Sequence, residues 1–176
     1  TWFAGERWAG VQGHVAYYQT YMSDLIQWAN PGGFQFKSLN VGQAQMKGIE
    51  GSLATHTGWG TRLDWQGAMR SAIDSGTGLA LPGRPDVEQR VKIEQAVGVC
   101  LVNLSYVYES GTAFASGSST AILDRSIWNA SAQAALGDRA QVYGNVSNVF
   151  DASQQDMFGF PLPGRTFLFG LKITYE

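Results

Sequence analysis

The sequence is poor in charged residues and in long apolar runs. Only 15% of its 176 residues are charged, and the net charge is −2, whereas an ordinary soluble domain has about 25% charged residues. Without a basic field, nucleic acid is not an expected partner. No run approaches the roughly 18 apolar residues of a transmembrane helix. These absences exclude a helical membrane protein but leave a membrane protein built from strands.

Residues suited to disulfides, metal sites or catalysis are also scarce. Cys100 is the only cysteine, so no internal disulfide can form. The two histidines, His14 and His56, lack the spacing of a metal site. No nucleophile accompanies a general acid or base in a recognisable motif. The sequence therefore predicts no enzyme activity, no metal site and no cofactor.

The sequence is rich in glycine and aromatic residues, and apolar and polar residues alternate along it. It contains 22 Gly, 6 Trp, 7 Tyr and 9 Phe. In the stretch 165–176, large apolar side chains occupy the odd-numbered positions from 167 onward. The even-numbered positions are mostly polar, with Leu168 as the exception. The apolar members are Phe167, Phe169, Leu171, Ile173 and Tyr175. Period-two alternation predicts a strand with one apolar face.

The same alternation recurs along the whole chain. The predicted strands span 11–22, 39–55, 61–74, 86–97, 99–109, 125–136, 139–149 and 165–176. Long and short connections alternate between them, as in outer-membrane barrels with short periplasmic turns and long extracellular loops. The pattern predicts an all-β antiparallel meander of about eight transmembrane strands.

Charged residues gather on one parity of the third and fourth predicted strands. They are Arg62, Asp64, Arg70, Glu88, Arg90, Lys92 and Glu94. Because so many charges do not fit a packed apolar core, we interpret them as an ion-pair ladder that lines an aqueous lumen. Gln66 and Lys172 are predicted to face the same side. The side chains predicted to face lipid are Trp65, Met69, Val91, Ile93, Phe167, Phe169, Leu171 and Ile173.

Three architectures fit this pattern. The chain forms part of a larger membrane barrel, a complete eight-stranded membrane barrel with a structural role, or a soluble lipocalin-like binding barrel. Pairing of the first predicted strand with the last would indicate a closed barrel of eight strands.

Several short segments resemble one family. Residues 148–151 (Asn-Val-Phe-Asp) and 160–166 (Phe-Pro-Leu-Pro-Gly-Arg-Thr), followed by an alternating last strand, resemble the C-terminal signature of TonB-dependent outer-membrane receptors. Further similar segments occur in the family's order at 17–18 with 23–26, at 40–44 with 47–50, and at 81–85. Within the family, the vitamin B12 and siderophore receptors look most similar.

The resemblance implies a fold and a function. The family fold is a 22-stranded barrel filled by an N-terminal plug, so residues 1–176 would be a C-terminal barrel segment without the plug and the upstream strands. The implied function is import of a metal chelate or cofactor of the siderophore, haem or cobalamin class across the Gram-negative outer membrane, with energy from TonB.

The resemblance also implies partners. These are outer-membrane lipid and lipopolysaccharide, the TonB complex through the plug, and the barrel-assembly machinery through the last strand. The family usually ends on an aromatic residue, whereas here Glu176 follows Tyr175.

Recognition residues are expected in the long loops, because loops on a rigid scaffold usually carry binding and aromatic side chains supply contact area at low entropic cost. The candidates are Trp28, Asn30, Phe34, Phe36, Phe114, Phe158 and Phe160.

Overall fold

The computed structural model describes residues 10–29, 37–40, 42–113, 124–157 and 160–175. The strands are β1 (Gly10–Ser23), β2 (Ile26–Ala29), β3 (Lys37–Asn40), β4 (Gln43–His56), β5 (Thr61–Asp74), β6 (Val87–Val97), β7 (Cys100–Ser110), β8 (Arg125–Leu136), β9 (Ala140–Ser147), β10 (Gln155–Met157), β11 (Phe160–Pro161) and β12 (Thr166–Ile173). The described part of the chain contains no helix that could cross a membrane.

Eight of these strands form one antiparallel sheet in the order β1-β4-β5-β6-β7-β8-β9-β12. Each pairs with the next long strand along the chain, so the predicted all-β meander is confirmed. The first and last strands lie at opposite edges and do not pair with each other. The alternatives of a closed eight-stranded barrel, in a membrane or in solution, therefore do not match the topology of the described strands.

The strand predicted at 39–55 begins only at Gln43. Asp24 and Gly42 both have positive φ, 54° and 75°, and the Asp24 amide donates to the Gly42 carbonyl at 2.6 Å. The Gly42 amide donates to Asn40 Oδ1 at 2.7 Å. Left-handed residues interrupt a ladder of hydrogen bonds. Between Asp24 and Gly42 lies the separate β2–β3 hairpin, which the sequence did not predict.

The predicted alternation of connections is confirmed. Short connections at 57–60, 98–99 and 137–139 lie at one end of the sheet, and long connections at 24–42, 75–86, 111–124 and 148–165 lie at the other. A second small hairpin, β10–β11, lies within the last long connection. The two ends of the sheet therefore differ, with short turns at one end and long connections at the other.

The cross-strand register sorts the side chains onto two faces. Leu63 lies opposite Ile93, and Trp65 lies opposite Val91, so apolar residues meet apolar residues across the strands. The same register, followed through β7, β8 and β9 to β12, places Phe167 on that face. All eight residues predicted to face lipid share this apolar face. Asp64, Gln66, Arg70, Arg90, Lys92 and Lys172 share the opposite polar face, so the predicted separation is confirmed.

The only fully buried apolar cluster of the described residues lies at the long-loop end. Ala44, Ala72 and Leu81 are 1%, 6% and 1% exposed. The Leu81 amide donates to the Ala72 carbonyl at 2.9 Å. Ala44 and Ala72 are polar-face positions, so the connection 75–86 folds over the end of that face.

Candidate functional site

A cluster of charged side chains lies on the polar face of β5 and β6, around Glu88. Its Oε2 accepts from Arg70 Nη2 at 2.6 Å, and its Oε1 accepts from Arg90 Nη2 at 2.7 Å. Glu88 and Arg70 are 22% and 23% exposed, whereas Arg90 is 58% exposed. One carboxylate therefore bridges two guanidinium groups, and one of these reaches into the open space above the sheet.

Three further ion pairs extend the charged surface. Arg62 Nε contacts Asp64 Oδ2 at 2.9 Å, and Lys92 Nζ contacts Glu94 Oε1 at 3.1 Å. On β7 and β8, Arg125 Nη2 contacts Glu109 Oε1 at 2.6 Å. All seven predicted charged residues thus lie in ion pairs on one face, which is the arrangement that the sequence predicted. That this face lines a lumen stays a prediction.

A pocket of about 350 Å³ opens on this face across β1, β4, β5 and β6. Its polar lining consists of His14, Glu50, Ser52, Gln66, Arg70, Glu88 and Arg90. Acids and bases alternate within it, so the pocket presents hydrogen-bond donors and acceptors of both signs. Such a lining suits water and polar polypeptide or ligand groups better than an apolar ligand.

A neutral polar surface continues the face across β7, β8 and β9, and sequence reasoning missed it. The pairs Asn103–Ser131 and Ser131–Asn145 lie directly opposite each other in the register. Asn129 Nδ2 donates to Ser105 Oγ at 3.4 Å. Asn103, Asn129 and Asn145 all occupy polar-face positions of β7, β8 and β9. Their common parity was the signal, but the strand register was needed to bring them together.

The predicted loop residues are only partly located. Phe160 lies in β11 and is 67% exposed, and the backbone of Trp28 lies in β2 opposite Ser38. Asn30, Phe34, Phe36, Phe114 and Phe158 lie outside the described residues. Within the described ranges, no group of three or more His, Cys, Asp or Glu side chains could hold a metal ion.

The fold is similar to that of several solved transport proteins. The copper transporter OprC has a TM-score of 0.75 at 18% identity, and the match covers 98% of this chain and 30% of that one. The ferric-catecholate import receptor Fiu from E. coli has a TM-score of 0.71 at 16% identity, with 93% and 25% covered. A variant of the ferric enterobactin receptor PfeA from Pseudomonas aeruginosa has a TM-score of 0.69 at 17% identity, with 94% and 29% covered.

This chain thus spans about a quarter to a third of the length of the receptors it resembles. No curated protein sequence matches it. A family profile described as TonB-dependent receptor-like β-barrel matches residues 2–149, which is most of the chain. The chain therefore belongs to the TonB-dependent receptor β-barrel family, whose members are transport receptors of the Gram-negative outer membrane and not enzymes.

Proposed function

We propose that residues 1–176 form the C-terminal part of the barrel wall of a receptor that imports a metal ion or a metal chelate, with energy supplied by TonB. The plug and the remaining strands would come from other parts of a longer protein. The names of three similar structures, a copper transporter, a ferric-catecholate receptor and a ferric enterobactin receptor, support this substrate class. Haem and cobalamin are alternatives within the same class of metal-containing cargo.

The observation that carries the proposal is the separation of the sheet into a charged face and an apolar face. A lysine or arginine facing lipid at the membrane midplane costs about 2–4 kcal/mol. The charged face must therefore meet water or protein, and in a receptor barrel that side is the lumen. The proposed lumen-lining residues are Arg62, Asp64, Arg70, Glu88, Arg90, Lys92 and Glu94.

Ligand capture is assigned to the long-loop end. The connections there are the longer ones, and receptor barrels carry their long loops outside the cell. Phe160 is exposed at this end and offers its ring to a ligand. The other proposed contacts are Trp28, Asn30, Phe34, Phe36, Phe114 and Phe158.

Three partners follow from the proposal. The TonB complex would act through the plug, and the barrel-assembly machinery would recognise β12 as the last strand. Outer-leaflet lipopolysaccharide would surround the apolar face.

Uptake measurements test the proposal. The full-length receptor is deleted in its host, and uptake of radiolabelled copper, ferric catecholate, ferric hydroxamate, haem and cobalamin is compared with that of the parent. We expect loss of uptake for one metal-containing substrate, and the same loss when TonB is removed. Unchanged uptake of every substrate, or uptake that persists without TonB, would contradict the proposal.

Phe160→Ala refines the test within this chain. Removal of an exposed aromatic contact should weaken ligand binding by about fivefold to tenfold, as measured by titration of the purified receptor with the substrate identified above. Leu136→Ala is the matched control, because Leu136 is 56% exposed but lies at the short-turn end. Equal affinities for Phe160→Ala and the parent would remove Phe160 from the ligand site.

A further inference from the structure

The polar face changes character between β6 and β7. Strands β5 and β6 contain four charged residues each. The next four strands of the sheet contain only Glu109, Arg125 and Lys172. Glu109 and Arg125 form an ion pair at the long-loop end, and Lys172 lies near the short-turn end of β12. Between these two ends, the polar face of the four strands is uncharged.

A groove of about 320 Å³ lies on this uncharged part of the face, which is within the size range of small-molecule sites. We call its six neutral polar side chains the neutral groove. They are Asn103, Ser105, Asn129, Ser131, Gln133 and Asn145. Lys92 and Glu94 lie at the β6 side of the groove and form an ion pair with each other at 3.1 Å. The charges at that border are therefore already compensated.

The wall itself engages only part of the hydrogen-bonding capacity of the neutral groove. Asn129 Nδ2 donates to Ser105 Oγ at 3.4 Å, which is long for a hydrogen bond. Asn103 Oδ1 is shielded from solvent and accepts no hydrogen bond within the described part of the chain. A shielded acceptor without a donor is unfavourable, so a ligand N–H or O–H that reaches it would gain a hydrogen bond.

The charged and the neutral parts of the face suit different tasks. A fixed charge holds a group of opposite sign strongly and repels a group of like sign. A solute that has to move on needs contacts that are favourable enough for entry and weak enough for release. Neutral amide and hydroxyl groups provide such contacts, because each net hydrogen bond contributes little and is readily exchanged.

We infer that a metal chelate in transit moves along the neutral groove, between capture at the long-loop end and release at the short-turn end. The amide and hydroxyl groups exchange hydrogen bonds with the oxygen and nitrogen atoms on the organic shell of the chelate. A bare transition-metal ion fits this lining less well, because it prefers thiolate, thioether or imidazole ligands. The inference rests on the proposed transport function and narrows the cargo from a metal ion or metal chelate to a chelate.

Obstruction of the groove in the folded receptor tests this path. In a full-length receptor with Cys100→Ala, Ser131→Cys is treated in energised host cells with a bulky, water-soluble maleimide. The cargo is whichever of copper, ferric catecholate, ferric hydroxamate, haem and cobalamin the parent imports. We expect the labelled Ser131→Cys receptor to import about tenfold more slowly than its unlabelled form, which corresponds to about 1.4 kcal/mol on the transport barrier. Its affinity for the cargo should not change, because the adduct lies away from the long-loop end.

Ala16→Cys is the matched control. Ala16 lies on the polar face of β1, opposite Glu50, and is half-buried like Ser131. It lies six positions from Gly10 at the short-turn end of β1, whereas Ser131 lies five positions from Leu136 at that end of β8. The two adducts are therefore at similar heights, and labelled Ala16→Cys should import as fast as its unlabelled form.

A second variant tests the hydrogen bonding without adding bulk. Asn103→Leu keeps the approximate size of the side chain but removes its amide, so import should slow by about threefold with the affinity unchanged. Import at the parental rate would contradict the role of these hydrogen bonds.

The outcomes separate this inference from the proposed function. If the parent imports a chelate but Ser131→Cys does not react in energised cells, or if the two adducts inhibit equally, the path is wrong and the transport function stands. Import of copper ion alone would overturn the choice of a chelate. If the parent imports none of the five substrates, the proposed function fails and this inference fails with it.

Discussion

At the scale of single residues, glycine marks places where strands approach closely. Gly48 is buried in β4, and a Cβ atom built on it would lie 2.7 Å from the Met69 carbonyl oxygen and 2.8 Å from the Tyr18 hydroxyl. The carbonyl belongs to the backbone of the adjacent strand and cannot move aside without bending that strand. The backbone angles at Gly48 are those of an ordinary strand residue. Lack of space for a side chain, and not backbone conformation, is therefore the reason that this position requires glycine.

We expect Gly48→Ala to destabilise the full-length receptor by about 1–3 kcal/mol, the usual cost of overpacking. Urea unfolding in lipid vesicles measures the change. Gly13→Ala is the matched control, because the added carbon would meet neighbours only at 3.6 Å and beyond. If both variants unfolded at the same urea concentration, steric crowding at Gly48 would not explain the glycine.

A second residue-scale feature lies at the start of the last long connection. Asn148 is 5% exposed and has a φ of 51°. Its Oδ1 accepts from the Ala152 amide at 2.9 Å, and its Nδ2 donates to the Ala152 carbonyl at 2.9 Å. Asparagine tolerates the left-handed region better than most residues. One side chain thus closes the loop while its own backbone makes the turn.

Asn148→Ala should lower the free energy of unfolding by about 2–4 kcal/mol, because it removes both hydrogen bonds and places alanine in the left-handed region. Asn148→Gly loses the same bonds without the backbone strain, so its loss should be smaller. Urea unfolding of the full-length receptor compares the two. An alanine variant as stable as the parent would show that this turn does not depend on the asparagine.

At the scale of strands, the ion pairs are expected to differ in how much they stabilise the protein. Glu88 bridges Arg70 and Arg90, and both Glu88 and Arg70 are less than one-quarter exposed. Glu88→Gln should destabilise the sheet by about 1–3 kcal/mol, because two arginines would then lack their shared anion. Lys92 is 52% exposed, so Lys92→Gln should cost less than about 1 kcal/mol. Unfolding titrations compare the losses of stability in the two variants. A larger loss for Lys92→Gln than for Glu88→Gln would contradict this prediction.

The two faces of the sheet give a second prediction at this scale. Phe169→Arg or Ile93→Arg should impair folding into the membrane by about 2–4 kcal/mol near the midplane, because lipid cannot solvate the charge. Gln66→Arg, on the polar face, should be tolerated. The amount of folded receptor in isolated outer membranes measures the effect. Normal levels of the Phe169→Arg protein would contradict the assignment of the apolar face to lipid.

At the scale of the whole molecule, the open edges of the sheet matter most. A strand edge cannot be left unpaired in lipid, since each unsatisfied backbone group costs several kcal/mol. Among the described strands, β1 and β12 each have one edge without a partner strand. We therefore expect further strands to cover both edges, as they would if the eight strands were part of a larger barrel.

Cysteine cross-linking tests this topology. In a full-length receptor with Cys100→Ala, the pair Val142→Cys and Leu171→Cys should form a disulfide, because these positions lie opposite each other on β9 and β12 at a spacing that a disulfide can bridge. The pair Tyr17→Cys and Leu171→Cys should not react, since β1 and β12 are not neighbours. Non-reducing electrophoresis after protease cleavage detects the linkage, and a disulfide in the second pair would indicate a closed barrel of eight strands.

The sequence predicted the parts of the fold that depend on alternation. The side-chain period of a strand is two, so the parity of Trp65 or Phe169 fixes its face once the residue is in a strand. The predicted bounds of β5 are the observed ones, because the 57–60 turn and the 75–86 loop have clear turn residues. The Asp24–Gly42 break and the two small hairpins were missed, since backbone pairing inside the long connections decides them.

The sequence by itself determined that this protein is an all-β meander with a charged face and an apolar face, because local alternation and turn chemistry suffice for that. Only the tertiary structure decided which residues become neighbours. The bridging of two arginines by Glu88 and the neutral surface around Ser131 both depend on the strand register. Register is a property of paired strands, fixed by hydrogen bonds between them and by close contacts such as the one at Gly48, so no single strand's sequence contains it.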